Sequence, residues 1–242
     1  MRLVRVLKVL LLAGLASFGA VLLYGYARSH PQDLPWTRLD LTQKPGAFTG
    51  RKLAGLAGDS GQCRILLARA GIQFTPAPPL KASEQCGYDD AIRFRPAGAV
   101  SIGYRPADLT IACPVGAALA LWEWHVVQPA ALRHFGQRVA QIDHFGSYSC
   151  RRLYGRSQGD WSEHSRANAV DVAGFRLEDG RRINILKDWE WDGARSAFLK
   201  EVRDGACGLF ATVLSPDYNQ AHRDHFHLDQ APRGETGWRA CR

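Results

Sequence analysis

The sequence predicts an α+β fold: a single domain with an antiparallel sheet and flanking helices, set behind an N-terminal transmembrane helix. Three observations carry that expectation. Residues 9–27 form one uncharged apolar run near the start of the chain. After it, helical patterns lie early and strand patterns lie late, with an Asp-Gly turn among the latter. The 242 residues, 46% of them hydrophobic, suffice for one domain with a real core, and disorder is not the default.

The apolar run says where the protein works. Arg2, Arg5 and Lys8 precede it and Arg28 follows it. Nineteen helical residues reach about 28 Å, close to the thickness of a bilayer core. Basic residues on the leading side keep that end in the cytoplasm and send the rest outward. Tyr24 and Tyr26 suit an interfacial belt. No face of the run is polar, which argues against a helix on a soluble domain. A cleaved signal peptide is the competing reading, because Gly25-Tyr26-Ala27 offers a small-x-small cleavage site, although the apolar region is long for one. The chain therefore divides into an anchor or signal peptide over 1–28, a linker over 29–50 and a domain over 51–242. Pro31, Pro35 and Pro45 mark the linker as extended. The expected location is the periplasm, on the outer face of the inner membrane.

Within the domain, Asp59 or Ser60 caps a helix through Cys63, Ile65, Leu66 and Leu67, and Gly71 stands just past its end. The Pro-rich stretch 76–79 is a loop, followed by two β-like runs at 91–95 and 99–104. Pro114 opens a long apolar helix over 115–127, which Pro129 breaks or kinks. Residues 145–155 read as a strand carrying Cys150. Segments 168–175 and 181–186 form a hairpin around Glu178-Asp179-Gly180. A helix over 194–202 and a short strand over 225–228 complete the order.

Charge and cysteines narrow the function classes. The chain has 31 basic and 23 acidic residues; without the four basic residues of the first 28 positions, 27 face 23, a balance of only +4. That is too weak and too scattered for a nucleic-acid footprint. Cys63, Cys86, Cys113, Cys150, Cys207 and Cys241 are an even set with no pair at CxxC spacing. Zinc knuckles and thioredoxin-like redox pairs are thus disfavoured, and three disulfides in an oxidising compartment are expected, their pairing left open.

The chemistry lies in two segments. His222-Arg223-Asp224-His225-Phe226-His227 gathers three of the eight histidines, a grouping that chance would produce roughly 0.01 times in such a chain. On a strand, His225 and His227 share a face while Phe226 turns into the core. The second segment runs from Ser162 to Asp171. If 169–175 is a strand, Asp171 lies between Ala169 and Ala173 on one face, with Val170 and Val172 packed behind. His164 approaches from the preceding loop. Together His164, Asp171 and His227 offer two imidazoles and a carboxylate to Zn2+, with a fourth position left for water. Zinc would bring that water's pKa toward ~7 and polarise a carbonyl. His225 is the expected general base or transition-state stabiliser, with His222 as the second candidate. Asp229, two beyond His227, can orient a ligand imidazole from behind, and Asp224 or Glu163 are alternatives.

The order His-x6-Asp followed late by His-x-His is similar to the zinc D-Ala-D-Ala carboxypeptidases and the penicillin-insensitive murein endopeptidases, with His222 closer to the endopeptidase branch. Over nearly all of 60–242 the chain resembles the bacterial extensin-like C-terminal domain family. The segments that carry this are Cys113-Pro114-Val115, Val127-Gln128-Pro129-Ala130-Ala131, Gly146-Ser147-Tyr148-Ser149-Cys150-Arg151, Ser162-Glu163-His164, Asn168-Ala169-Val170-Asp171 and His225-Phe226-His227-Leu228-Asp229. The resemblance implies a fold like the zinc murein peptidases, with His164, Asp171 and His227 at the ligand positions. Two departures stand out. The peptidase pattern has glycine three after its first His, where this chain has Ala167, a strained choice if that backbone needs positive φ. The peptidase acid, a Glu two before a Trp-His pair, is matched only out of register by Trp122-Glu123-Trp124-His125.

The expected function is zinc-dependent hydrolysis of a peptide bond in peptidoglycan, most directly a D-Ala-containing cross-link. The rivals are a non-catalytic wall-binding or scaffold protein with a structural zinc, and a zinc amidase. A fourth protein ligand from His225 or His222 would favour the structural zinc. His125, His134 and His144 read as packed or solvated, and Trp189 and Trp191 as packing residues rather than a glycan groove. Arg151 and Arg152 read as a solvated pair, with a peptide carboxylate as the alternative partner. Oligomeric state is not legible.

Overall fold

The structure, a computed structural model, describes residues 2–234 and 238–242. Helix α1, Arg2–Ser29, is long and apolar enough to cross a membrane, and none of its residues is buried against the domain. The stretch that follows, expected as an extended linker, folds back on the domain instead. A 3-10 turn at Pro31–Asp33 puts Gln32 in the interior, and Leu39 and Leu41 are buried in the core. Lys52 Nζ donates to Pro31 O at 3.2 Å and to Thr37 Oγ1 at 2.8 Å, which fastens this arm to helix α2, Thr49–Ala54. The prolines set its turns without freeing it from the core.

Helix α3, Ser60–Arg69, begins where its cap dictates: the Asp59 carboxylate accepts from Gln62 N at 2.9 Å. It ends at Gly71, whose φ of +75° supplies the left-handed exit that the sequence predicts. Six short strands follow, more than the sequence announces: β1 Ile72–Pro76, β2 Leu80–Lys81, β3 Gly87–Tyr88, β4 Ala91–Gly98, β5 Gly103–Arg105 and β6 Ile111–Ala112. Helix α4, Cys113–Trp122, has all ten residues buried, so its all-round apolarity marks a helix at the centre of the core. Pro129 does not break the rod. Residues Glu123–Val127 widen into a π turn, and helix α5, Gln128–Phe135, continues with Pro129 in its first turn, where no intrahelical N–H is required.

Strand β7, Val139–Gly146, stops earlier than expected. Gly146 has a φ of +119°, and residues 147–151 run as irregular chain, so Cys150 sits in a loop and not in a strand. The hairpin forms as predicted from β8, Ala169–Leu177, and β9, Arg182–Asn184. Helices α6, Ile185–Asp188, and α7, Ala194–Ala206, precede strands β10, Thr212–Leu214, β11, Phe226–Asp229, and β12, Ala240–Cys241.

The α+β class holds. The main sheet runs β12-β10-β11-β8-β7-β5, with β9 also on β8. It is antiparallel through its centre but parallel in the β5–β7 and β10–β12 pairings at its two edges, a departure from the all-antiparallel expectation. Helix α4 and its neighbours bury one face, where Trp122, Phe175, Phe198, Phe210 and Phe226 are fully enclosed. The other face of β8 and β11 carries the polar side chains described below.

All six cysteines pair: Cys63 with Cys113, Cys86 with Cys150, and Cys207 with Cys241. The first ties α3 to the start of α4, the second ties the β2–β3 hairpin to the loop after β7, and the third ties α7 to β12. Closing the 50-residue span between Cys63 and Cys113 removes about 4 kcal/mol of loop entropy from the unfolded chain. Replacing both by alanine should lower unfolding stability by about 2–4 kcal/mol, read by urea titration; an unchanged midpoint would show that the linkage adds nothing to the packing around it.

Candidate metal centre

Strand pairing assembles the centre. Strands β8 and β11 run antiparallel with His227 opposite Asp171, Phe226 opposite Val172 and Leu228 opposite Val170. Val170, Val172, Phe226 and Leu228 are all buried in the core, so period-two alternation turns Asp171 and His227 to the opposite face together. Ala169 and Ala173 flank Asp171 on its strand, as expected. His164 arrives from a single 3-10 turn, Glu163–Arg166, capped by the Ser162 hydroxyl, which accepts from His164 N at 3.3 Å. That turn exits through Ala167 at φ 53°, ψ 20°. The left-handed backbone suspected there from the sequence is present, and this chain fills it with alanine.

The three donor atoms form a nearly equilateral triangle. His164 Nε2 lies 3.1 Å from Asp171 Oδ1 and 3.1 Å from His227 Nδ1, and His227 Nδ1 lies 3.0 Å from Asp171 Oδ1. A tetrahedral ion with ligands at about 2.0–2.1 Å spaces its donors roughly 3.3 Å apart, so the triangle has the size of one face of such a site.

Each imidazole is fixed from behind. His164 Nδ1 donates to Ser147 O at 2.5 Å, and His227 Nε2 donates to Asp229 Oδ2 at 3.1 Å. Asp229 is itself held, because its Oδ1 accepts from Ala231 N at 3.0 Å. These bonds set the tautomers and leave His164 Nε2 and His227 Nδ1 as lone pairs that face a carboxylate oxygen. Three converging acceptors need a cation or a proton between them. Burial works against ionising Asp171, but hydrogen bonding through a proton shared with His164 and His227 outweighs it and holds the carboxyl well below the usual range. Burial also works against charging His227, yet its bonds to Asp171 and Asp229 push it up to about 9. Without a metal, the triangle therefore holds a proton at neutral pH. The donor set fits a divalent ion that prefers imidazole and carboxylate.

Among the described residues, the group whose donor atoms all lie within 4.8 Å of one another is His164, Asp171 and His227. His225 and His222 stand beside it, outside that group. His225 falls just before β11; its Nδ1 donates to Asp224 Oδ1 at 2.8 Å, and its Nε2 points inward, 3.6 Å from Asp171 Oδ1. His222 donates from Nδ1 to Asn219 Oδ1 at 2.7 Å, and its ring centre lies 5.2 Å from that of His225. Burial, together with the charges of His225 and His227, lowers His222 to about 4.

The other residues weighed from the sequence sort as follows. Asp229 orients His227, whereas Asp224 serves His225 and Glu163 accepts from Asn168 Nδ2 within its own loop at 2.6 Å. Glu123 is buried away from the triangle, where its Oε1 accepts from Ser101 N at 2.7 Å and Ile102 N at 3.2 Å. His134 pairs with Glu201 at 2.7 Å, and His144 bonds Pro106 O at 2.8 Å. Trp189 is core and Trp191 is exposed. Arg152 lies over Trp161 at 4.5 Å, while Arg151 is exposed. Ser147 and Asn219, which aim His164 and His222, escaped the sequence reading because one acts through its carbonyl and the other through a turn.

Residues 61–242 match the family model described as Extensin-like protein C-terminus. No curated protein and no solved structure matches the chain.

Two outcomes follow from the geometry. The chain should bind one zinc; Asp171→Asn should abolish binding and Asp229→Asn should weaken it about 10–100-fold, measured by titration against a chelating dye. The pH response of the metal-free chain should be distinctive. A raised His227 stabilises fully below its ordinary value of 6.5 and loses that contribution as pH rises through about 9, whereas the lowered Asp171 contributes above its ordinary value of 3.8 and loses it as pH falls. Metal-free protein should therefore lose stability between about pH 6.5 and 9. Metal binding displaces the proton, so zinc-loaded protein should hold its stability over the same interval. Urea unfolding with and without chelator checks both slopes.

Proposed function

The chain belongs to the extensin-like protein C-terminus family, and we propose that it is a zinc-dependent hydrolase of the cell wall that cleaves a peptide bond in peptidoglycan, most directly a D-Ala-containing cross-link. The observation that carries this reading is the three-atom triangle of His164, Asp171 and His227, with His225 and His222 beside it. The disulfides and the apolar N-terminal helix fit an extracytoplasmic site of action, which we assign to the periplasmic face of the inner membrane. The His-x6-Asp and His-x-His spacings, similar to those of the zinc murein peptidases, support a peptide bond as the target.

When bound, zinc supplies Lewis acidity toward a carbonyl and a water in a site of two imidazoles and one carboxylate. The protein's own groups do the rest. Asp224 holds His225 in the tautomer whose Nε2 lone pair faces the centre. From there His225 takes a proton from the water as its oxygen adds to the carbonyl carbon, then returns that proton to the amine nitrogen as the C–N bond breaks. His222, kept neutral by burial and oriented by Asn219, is a second acceptor on the same side. Asp229 and Ser147 keep the ligand rings from turning.

The test uses the full-length chain in detergent, loaded with zinc and incubated with intact peptidoglycan, with products read by mass. Cross-linked dimers should fall to monomers with the native chain and not with His227→Ala. His225→Ala should keep its zinc and lose about 10²–10⁴-fold in rate. Zinc bound at one per chain with no bond cut would overturn the catalytic reading and leave a structural metal. Release of whole stem peptides from glycan would instead identify an amidase.

A further inference from the structure

A cleft of about 880 Å³ opens directly beside the centre, with His227 and Asp229 in its wall and Tyr154, Tyr218, Arg233 and Arg242 around it. Its size suits a short peptide. Its polar groups are unevenly committed. Asp229 is held by His227 and Ala231, while Asp217 accepts from Trp189 Nε1 at 2.8 Å and pairs with Arg203 at 3.3 Å. Arg233 donates to Thr212 Oγ1. Arg242 is exposed on the cleft wall, and its guanidinium enters none of the ion pairs among the described residues.

Tyr154 adds a second, independent sign. It holds φ 57°, ψ 22°, a left-handed backbone that is costly for a bulky side chain, by about 1–2 kcal/mol. Its half-exposed ring meets His222 edge-on at 6.5 Å, and Asn219 Nδ2 donates to its hydroxyl at 3.4 Å. Tyr218 approaches the same imidazole at 5.4 Å. Packing in the core does not require this strained turn, because Tyr154 is not in the core; what it achieves is an aromatic wall against His222.

We propose that this cleft is the peptide-binding groove, that it selects stem peptides carrying a free carboxylate through Arg242, and that Tyr154 and Tyr218 form the wall against which the peptide lies. The proposal rests on the peptidoglycan hydrolase reading for its choice of ligand. An arginine fork meets a carboxylate with two parallel N–H···O bonds, whereas the matching carboxamide can accept at only one oxygen and carries no charge.

The experiment measures binding, not turnover, on full-length, metal-free chain by calorimetry. The probes are a stem tetrapeptide with free carboxylates and the same peptide with its carboxylates amidated. The native chain should prefer the acid form at least tenfold, and Arg242→Gln should erase the preference by weakening only the acid form. Tyr154→Gly, which suits the positive φ, should weaken both peptides at least tenfold without lowering the unfolding midpoint. Equal binding of the two peptides, no binding of either, or an Arg242→Gln variant that keeps the preference would overturn the proposal. The two readings fail separately: Arg242-dependent binding without cleavage of peptidoglycan sinks the hydrolase and leaves the groove, and cleavage with an indifferent Arg242 does the reverse.

Discussion

His227 faces Asp171 across the antiparallel pair of β8 and β11, and everything distinctive about the molecule depends on that register. Side chains alternate with a period of two, so a slip of one residue would send His227 into the core and bring Phe226 and Leu228 out to solvent. The register is held from the apolar side. Val170 and Val172 on β8, with Phe226 and Leu228 on β11, are buried against the helical layer, and Trp189 packs edge-on to Phe226 at 5.6 Å. The polar face is thus positioned by hydrophobic burial on the opposite face, which is the stronger and less directional force. Residues that never approach the triangle decide where its donor atoms lie.

The polar face then has to be kept poised. Two buried imidazoles and a carboxylate at 3.0–3.1 Å would be a liability if their rings could turn, since each rotation would exchange a lone pair for an N–H. Ser147 O and Asp229 Oδ2 remove that freedom, and the Cys86–Cys150 link steadies the loop from which Ser147 reaches in. Backbone strain collects in the same place. Among the described residues Ala167 and Tyr154 are the non-glycine positions with positive φ, one just past His164 and the other against His222. Strain of this kind persists only where surrounding contacts over-determine the backbone, and here both positions border the centre.

The centre was more legible in the sequence than the sheet around it. Asp171 and His227 could be placed on one face because alternation on β8 and β11 is a local rule, and Val170, Val172 and Phe226 signalled which face was buried; His164, on a turn, was suggested only by its nearness in sequence to Asp171. Asp59 and Gly71 likewise marked the ends of α3 through their own side-chain and backbone chemistry. What failed to show were elements whose order is set by distant partners. Strands β2, β3, β6 and β12 have two residues each, too few for any periodicity, and exist because a neighbour supplies the hydrogen bonds. Apolar and polar residues mixed over 145–155 suggested a strand, yet Gly146 ends it and the disulfide partner of Cys150 lies 64 residues away. Pro129 pointed to a break, but a π turn one step earlier absorbs the missing donor.

The arm between the membrane helix and the domain changes what the anchor can do. Its prolines suggested an extended spacer, whose reach would grow with length. Instead Gln32, Leu39 and Leu41 are buried, and Tyr26 Oη donates to Asp33 Oδ2 at 2.6 Å, so the end of α1 is tied to the first turn of the domain. At no more than about 3.6 Å per residue, the few residues free between Tyr26 and Gln32 allow little excursion. If α1 remains in the bilayer, the centre is carried at a height set by the body of the domain and not by a tether. Anything that reaches the triangle would then have to come within that height of the membrane, a restriction imposed by packing far from His164, Asp171 and His227.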